Sequence, residues 1–381
     1  MIYFDHNATT PLLPEARQAW LETADKFVGN PSSPHRLGAR AAAALTQARE
    51  ELAGFLGCDP FDLIWTSSAT ESNNMVLHHF ARTLPVEAEV WVSAIEHPCV
   101  FATAQHYFAK RCQLIPVTRE GMVDLGWVQM SLKKSRPGLV AVMAANNETG
   151  VLQPWREVLA LCRDRAVPFL CDAAQWIGKL PARGLGEGDF VTGCAHKFGG
   201  PKGVGFAKVP SQGRVTPLLL GGPQEEGRRA GTENVAGVLS MMAALAARER
   251  ALAGARMEDG GWKMDGLRLA FEEQLLKTLP GTEIVGAGAP RLWNTVMALM
   301  PEANCQQRWV VKLDKLGFAA STGSACASGK EEASHVLAAM GGTPAQGSRA
   351  LRFSSGWEST AQDWTALADA LAEVFRQMRA A

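Results

Sequence analysis

From about residue 13 to 250, short apolar runs alternate with stretches of helical periodicity. Residues 62–66, 89–94, 112–117, 138–145 and 167–171 are rich in Val, Ile, Leu and Trp and bounded by polar, Gly or Pro positions. They read as buried strands. Between them lie amphipathic stretches, for example 38–55 and 155–165, which predict helices. Such alternation predicts an α/β fold with a mostly parallel sheet covered on both faces. Around 251–261 the pattern breaks into Ala, Gly and charges, and a different rhythm follows. A helix over 264–279, a strand over 294–300, helices over 307–316 and 331–340, a strand over 351–354 and a helix over 360–378 predict a smaller α+β unit. A chain of 381 residues suits two cores better than one. We divide it into a large domain, 13–250, and a small one made of 1–12 and 251–381. No repeat at solenoid periods and no low-complexity tract is present.

Charge and composition narrow the class. Lys plus Arg and Asp plus Glu each number 38, so the formal net charge is zero. No basic excess recruits nucleic acid directly, and no Lys/Arg run marks an anionic membrane surface. The N-terminus has neither a basic segment nor an apolar run, so no secretory signal is expected. The longest uncharged runs, such as 234–247, fall short of the ~18 residues a spanning helix needs. Eight cysteines are scattered without C-x-x-C spacing. That argues against a zinc cage, any other metal site or a disulfide framework, and it suits a reducing cytoplasm.

Candidate chemistry collects at the predicted strand ends, where open parallel sheets bind ligands. Asp172 and Gln175 close one strand, and Lys197 follows another in a Gly/Pro-rich setting. An amine that can hold an aldehyde as an imine, and a carboxylate that can keep a pyridine nitrogen protonated, suit pyridoxal phosphate. A carboxylate among apolar neighbours needs a partner, whereas Lys197 alone could be a surface residue. The run Thr66 to Glu71, with Ala69 and Thr70 at a helix start, suits a phosphate; by itself it is equally a capped helix. His97, after Glu96, could stack on a planar cofactor and move protons, or be structural. Asn146 and Asn147 end a strand in what could be a plain turn. Cys326 sits among small residues in Ser321 to Gly329, the setting of an accessible nucleophilic thiol rather than of a core filler. Arg352 could clamp a carboxylate or pair with an acid.

These residues resemble a family. Tyr3 to Pro11, Gly29-Asn30 to Ser33, Ala69-Thr70-Glu71, Glu96-His97, Asn146-Asn147-Glu148, Asp172 to Gln175, His196-Lys197, Arg229 to Thr232 and Gly323 to Cys326 recur in this order in cysteine desulfurases of the NifS/IscS kind. These are class V aminotransferases, and the resemblance implies the fold type I architecture of pyridoxal phosphate enzymes, a mostly parallel seven-stranded sheet domain with a smaller α+β domain. The likeness spans residues 3 to about 356, and the Cys326 motif is similar to that of the long-loop subgroup.

The resemblance implies roles. Lys197 would carry pyridoxal 5'-phosphate, Asp172 would pair with its pyridine nitrogen and Gln175 with its ring oxygen. Asn147 would lie beside the ring and substrate carboxylate, and His97 would stack on the ring. Ala69, Thr70, Cys194 and His196 would border the phosphate, with Thr232 contributed across a homodimer interface. Family members usually carry Ser at the position of Cys194; a thiol is the weaker hydrogen-bond partner, so the phosphate contact there is expected to loosen or shift. Arg352, with Asn30, would bind the carboxylate of L-cysteine. Cys326 would take the sulfur as a persulfide for an acceptor protein, such as an iron–sulfur scaffold or a tRNA-thiolation protein. An unperturbed thiol is mostly protonated at neutral pH. Its proton would pass to His97 or to the Lys197 amine, and we take His97 as the acceptor. The same cofactor site would also serve a selenocysteine lyase or a transaminase, and the fold could persist as a non-catalytic platform. A dinucleotide-binding fold is set aside, because neither G-x-G-x-x-G nor the Walker A pattern occurs where it would be needed.

Overall fold

A computed structural model describes residues 1–210, 215–257, 261–303, 309–322 and 334–380. Its strands, in chain order, are β1 (Ile2–Tyr3), β2 (Leu63–Thr66), β3 (Val90–Ser93), β4 (Cys112–Ile115), β5 (Leu139–Ala141), β6 (Phe169–Asp172), β7 (Phe190–Cys194), β8 (Gly205–Lys208), β9 (Glu283–Ile284), β10 (Thr295–Leu299), β11 (Phe318–Ala319) and β12 (Ala350–Ser354). The helices used below are α1 (Pro14–Lys26), α2 (Arg36–Leu56), α3 (Ala69–Thr83), α4 (Pro98–Phe108), α5 (Leu125–Lys134), α6 (Trp155–Arg163), α7 (Val235–Ala255) and α8 (Asp265–Thr278). The later ones are α9 (Trp309–Lys315), α10 (His335–Ala339), α11 (Pro344–Ser348) and α12 (Ala361–Ala380).

Seven strands form one sheet in the order β2-β8-β7-β6-β5-β3-β4. Pairings from β7 through β6, β5 and β3 to β4 are parallel, and β8 is antiparallel to both its neighbours. β2 therefore runs in the same direction as the parallel group, and six carboxyl ends share one edge. Consecutive side chains alternate between faces. Trp65, Trp91, Val140, Phe169, Val191 and Phe206 pack toward a core shared with α1, α2, α6 and α7. Ile64, Val90, Val92, Leu139, Leu170 and Phe190 face α3 and α4. Burial on both faces explains why these segments are continuously apolar.

The second sheet has the order β12-β10-β9, antiparallel throughout. Phe271, Leu275, Phe353, Trp364 and Leu371 make its separate core, with α8 and α12 supplying one side. β1 pairs in parallel with β11, and the chain then runs beside β12 through a bridge between Asp5 and Ser354. Beyond that bridge it turns toward the large sheet, where the Thr10 N–H donates to the His196 carbonyl at 2.8 Å.

Two expectations are corrected. The pattern break expected at 251 comes later, because α7 continues to Ala255; Ala and Leu dominate that turn and hold it helical. In place of a helix over 331–340, the described part is only α10, capped by the Ser334 hydroxyl accepting from the Leu337 N–H.

Gly178 lies on the turn after β6 at φ +75°, and a Cβ there would come within 2.2 Å of the Phe198 Cβ. Both the backbone conformation and the core contact exclude a side chain. Gly178→Ala should therefore destabilise the protein by about 2–3 kcal/mol. Guanidinium unfolding would measure this; a midpoint equal to wild type would refute it.

Candidate active site

The shared carboxyl edge of the large sheet gathers the site. Asp172 ends β6 and is buried, its Oδ2 accepting from the Asn73 amide at 2.7 Å and its Oδ1 from the Ala174 N–H at 2.9 Å. Asn73 is fully buried on α3, and its oxygen accepts from the Thr192 hydroxyl of β7 at 2.8 Å. Lys197 follows β7 in a single 3-10 turn, Ala195–Lys197, and its Nζ donates to the carbonyls of Asn7 at 2.6 Å and Ala8 at 2.9 Å.

Gln175 Nε2 donates to the same Asn7 carbonyl at 2.9 Å, while its oxygen accepts from Lys179 Nζ. Lys179 also donates to Asn7 Oδ1 at 2.7 Å. Burial pulls the Lys179 ammonium pKa far below the usual lysine value, and the charges of Lys197 and Arg352 add to the shift. Asn7 has no group to spare. Its Oδ1 accepts as well from Asn294 at 3.2 Å, its Nδ2 donates to Thr295 Oγ1 at 2.9 Å and the Asn147 carbonyl at 3.1 Å, and its N–H donates to Ser354 Oγ at 3.0 Å.

At the next strand end, His97 caps α4, its Nδ1 accepting from the Cys99 N–H at 3.2 Å. Burial lowers its pKa, opposed by the Asp172 charge and reinforced by that of Lys197. Glu96 is buried beside it with Oε1 accepting from the Met143 N–H at 2.6 Å. Burial, then the charge of Asp172, holds that carboxyl far above the usual carboxylate range. At the start of α3, Ser68 caps Glu71, and Ala69 and Thr70 present the first helical turn. Cys194 ends β7 buried against the Ala69 N–H, and burial lifts its thiol to about 11. His196 reaches Thr9 Oγ1 at 3.2 Å; burial and the charges of Lys197 and Lys202 lower its pKa to about 4.

Arg352 lies buried on β12, with Nη2 on Asp5 Oδ1 at 2.5 Å and Nη1 on the Asn147 carbonyl at 3.1 Å. The acid partner considered for it in the sequence is thus present, and it joins the arginine to Asn147 as well. Asn30 and Thr232 are exposed. Asn30 accepts from the Ser32 N–H at 2.9 Å within its own loop. Within one chain, neither is joined to Lys197, Asp172 or His97 by a hydrogen bond among the described residues.

Cys326 lies outside the described residues, but both flanks of its segment are fixed at the site. Ser321 exchanges backbone hydrogen bonds with Arg352 at 3.2 and 2.7 Å. Ser334 donates to Glu148 Oε2 at 2.5 Å, and His335 Nε2 lies 2.8 Å from the Glu96 carbonyl. Sequence reasoning assigned no role to Asn7, Asn73, Lys179 or Cys99. Lys179 stands four residues beyond Gln175 on a non-helical turn, so no periodic spacing flags it. Nothing in the local sequence marks Asn73, whose importance arises from α3 packing on β6 and β7.

The donor set fits pyridoxal phosphate: an amine, a buried carboxylate, an imidazole, a side-chain amide and a helix start converge on one edge. Among known families, the aminotransferase class-V family matches residues 2–367. A cysteine desulfurase of Klebsiella pneumoniae is 40% identical over 343 residues, covering 89% of this chain and 84% of the relative. One of Enterobacter agglomerans is 38% identical, covering 93% and 87%. Among solved structures, a NifS-like protein of Rickettsia africae superposes with a TM-score of 0.87 at 31% identity, covering 99% of each chain.

Two histidines, His6 buried and His196 half-buried, give the site a pH signature. His6 packs edge-on against Tyr3 at 5.0 Å, and burial with the Lys179 charge lowers its pKa to about 4, as for His196. Both folded values lie below the ordinary 6.5, so their stabilising contribution is complete above pH 6.5 and is lost as pH falls toward 4. Chemical unfolding at pH 7 and pH 5 should show a loss of roughly 2 kcal/mol for each histidine. His6→Asn should remove about half of that pH dependence. An undiminished slope in the variant would contradict the assignment.

Proposed function

The chain belongs to the aminotransferase class-V family and is a cysteine desulfurase, and from that premise we propose how its residues divide the reaction. The observation that carries the proposal is the convergence of Lys197, Asp172 and His97 on one sheet edge, with both flanks of the Cys326 segment fixed beside them.

Lys197 would hold the aldehyde carbon of pyridoxal phosphate, and Asp172 would face its pyridine nitrogen with Asn73 fixing the carboxylate. Because Lys179 occupies the Gln175 oxygen, Gln175 would offer the cofactor's ring oxygen an N–H. The phosphate would lie at the start of α3, on Ala69 and Thr70, bordered by Cys194 and His196. When bound, the cofactor supplies an electron sink that polarises the substrate toward loss of sulfur. Arg352, its guanidinium oriented by Asp5 and the Asn147 carbonyl, would meet the carboxylate of L-cysteine with Asn147 and Asn30 alongside. The Cys326 thiolate takes the sulfur as the carbon–sulfur bond breaks. The carbon gains a proton, so L-alanine leaves and a persulfide stays on Cys326.

Finer parts of the reading extend beyond one chain. The exposure of Thr232 supports a homodimer in which Thr232 of the partner subunit completes the phosphate site. The persulfide would pass to an acceptor protein, an iron–sulfur scaffold or a tRNA-thiolation protein. The zero net charge supports a protein acceptor over direct nucleic acid binding. The unpaired state of six described cysteines supports a reducing cytoplasm, and no described helix is long and apolar enough to cross a membrane. The division into residues 13–250 and residues 1–12 with 251–381 is supported by the separate apolar cores.

Protein incubated with pyridoxal phosphate should acquire a visible absorption band that Lys197→Ala lacks. Cys326→Ala should keep the band yet form alanine ~10³-fold more slowly or worse. Mass spectrometry after addition of L-cysteine should find one extra sulfur on Cys326. Undiminished alanine and sulfide formation by Cys326→Ala would overturn the persulfide route.

A further inference from the structure

Cys99 lies two residues after His97 and its sulfur touches three residues of the site. The Asn73 amide reaches Cys99 Sγ at 3.2 Å, while the same nitrogen holds Asp172 Oδ2 at 2.7 Å. The Thr70 side chain also bonds this sulfur. His97 Nδ1 lies 3.0 Å from it. Burial, followed by the nearby charge of Asp172, pushes the Cys99 thiol far above the ordinary range, so its hydrogen is retained. Thr70 and the Asn73 amide can donate to the sulfur, which leaves its single hydrogen for an acceptor. His97 Nδ1 already accepts from the Cys99 N–H, so it carries no proton of its own in the neutral ring.

We propose that Cys99 is a positioning residue for the reaction, its thiol and backbone N–H together fixing neutral His97 with the proton on Nε2 and tying that ring to Asp172 through Asn73. The inference rests on the reading of His97 as the residue over the cofactor and sharpens it. With Nε2 protonated, His97 presents a donor to the site and cannot accept the Cys326 proton at that atom. Protonation at Nδ1 would break the bond to the thiol and place a cation at the start of α4, where the helix field opposes it. Among the described groups that face His97 are Asp172, Lys197, His335 and Cys99, with Glu96 preceding it in the chain. Of these charges, that of Asp172 favours a cation there and those of Lys197 and His335 oppose it. On this inference the Cys326 proton goes elsewhere than His97 Nε2, which leaves the Lys197 amine, the other acceptor the sequence offered.

The test reads the ring directly. In ¹⁵N-histidine-labelled protein, with and without pyridoxal phosphate, His97→Gln identifies the His97 resonances by their loss. Wild type should show a neutral ring protonated at Nε2. Cys99→Ala should raise the His97 pKa by roughly one unit, the scale of one hydrogen bond to the neutral form, and admit the Nδ1-protonated tautomer. Cys99→Ser, whose hydroxyl can donate to Nδ1, should restore both. A wild-type ring protonated at Nδ1, or an unchanged tautomer and pKa in Cys99→Ala, would overturn the proposal. Because the resonances are read without turnover, this outcome stays separate from any failure of the desulfurase reading.

Discussion

One buried amide, Asn7, holds the seven-stranded and three-stranded sheets in working relation. An amide taken out of water must satisfy all its donors and acceptors, and removing a partner leaves a group whose desolvation is uncompensated. Asn7 meets that demand with groups from both halves. Gln175, Lys179 and Lys197 come from the large sheet, and Asn294, Thr295 and Ser354 from the small one. The N-terminal segment can satisfy this set in only one position. Its entry is set by β1 on β11 and by the Asp5–Ser354 bridge, its exit by Thr10 on His196. The lysine, the glutamine and the arginine strand are thereby placed against one another by a residue that itself does no chemistry.

The same economy appears around Asp172. Its position depends less on β6 than on Asn73, a side chain from a helix on the opposite layer. Asn73 reads the end of β7 through Thr192 and the start of α4 through Cys99. Three elements that converge only in the folded state are therefore held in register by one carboxamide. Networks of this kind are stiff when complete, and a single substitution disturbs several partners together.

The architecture was readable because both sheet faces are buried, which writes strands as continuous apolar runs such as Leu139–Ala141 and residues 169–171. Lys197, Asp172 and His97 were readable because strand ends and polar residues coincide in the sequence. Short elements were not. β1 and β9, of two residues each, have too few positions to show a period, and α11 is too brief for an amphipathic face. Asn7 and Asn73 escaped for another reason: each acts on residues far away in the chain, and a polar side chain carries no local sign of that. Arg352 shows the intermediate case. Its ion-pair alternative was visible, but Asp5 as the partner was not, because the two are separated by most of the sequence.

The depressed lysine beside Gln175 has a consequence for assembly with anionic ligands. Lys179 is poorly able to keep its proton because it is buried beside the cations Lys197 and Arg352. A phosphate ester or a carboxylate entering this neighbourhood supplies the negative charge the lysine lacks, and its proton affinity rises. Ligand binding and proton uptake are then two faces of one equilibrium, with reciprocal effects. A side chain that never meets the substrate thus couples the occupancy of the site to the acidity of its surroundings.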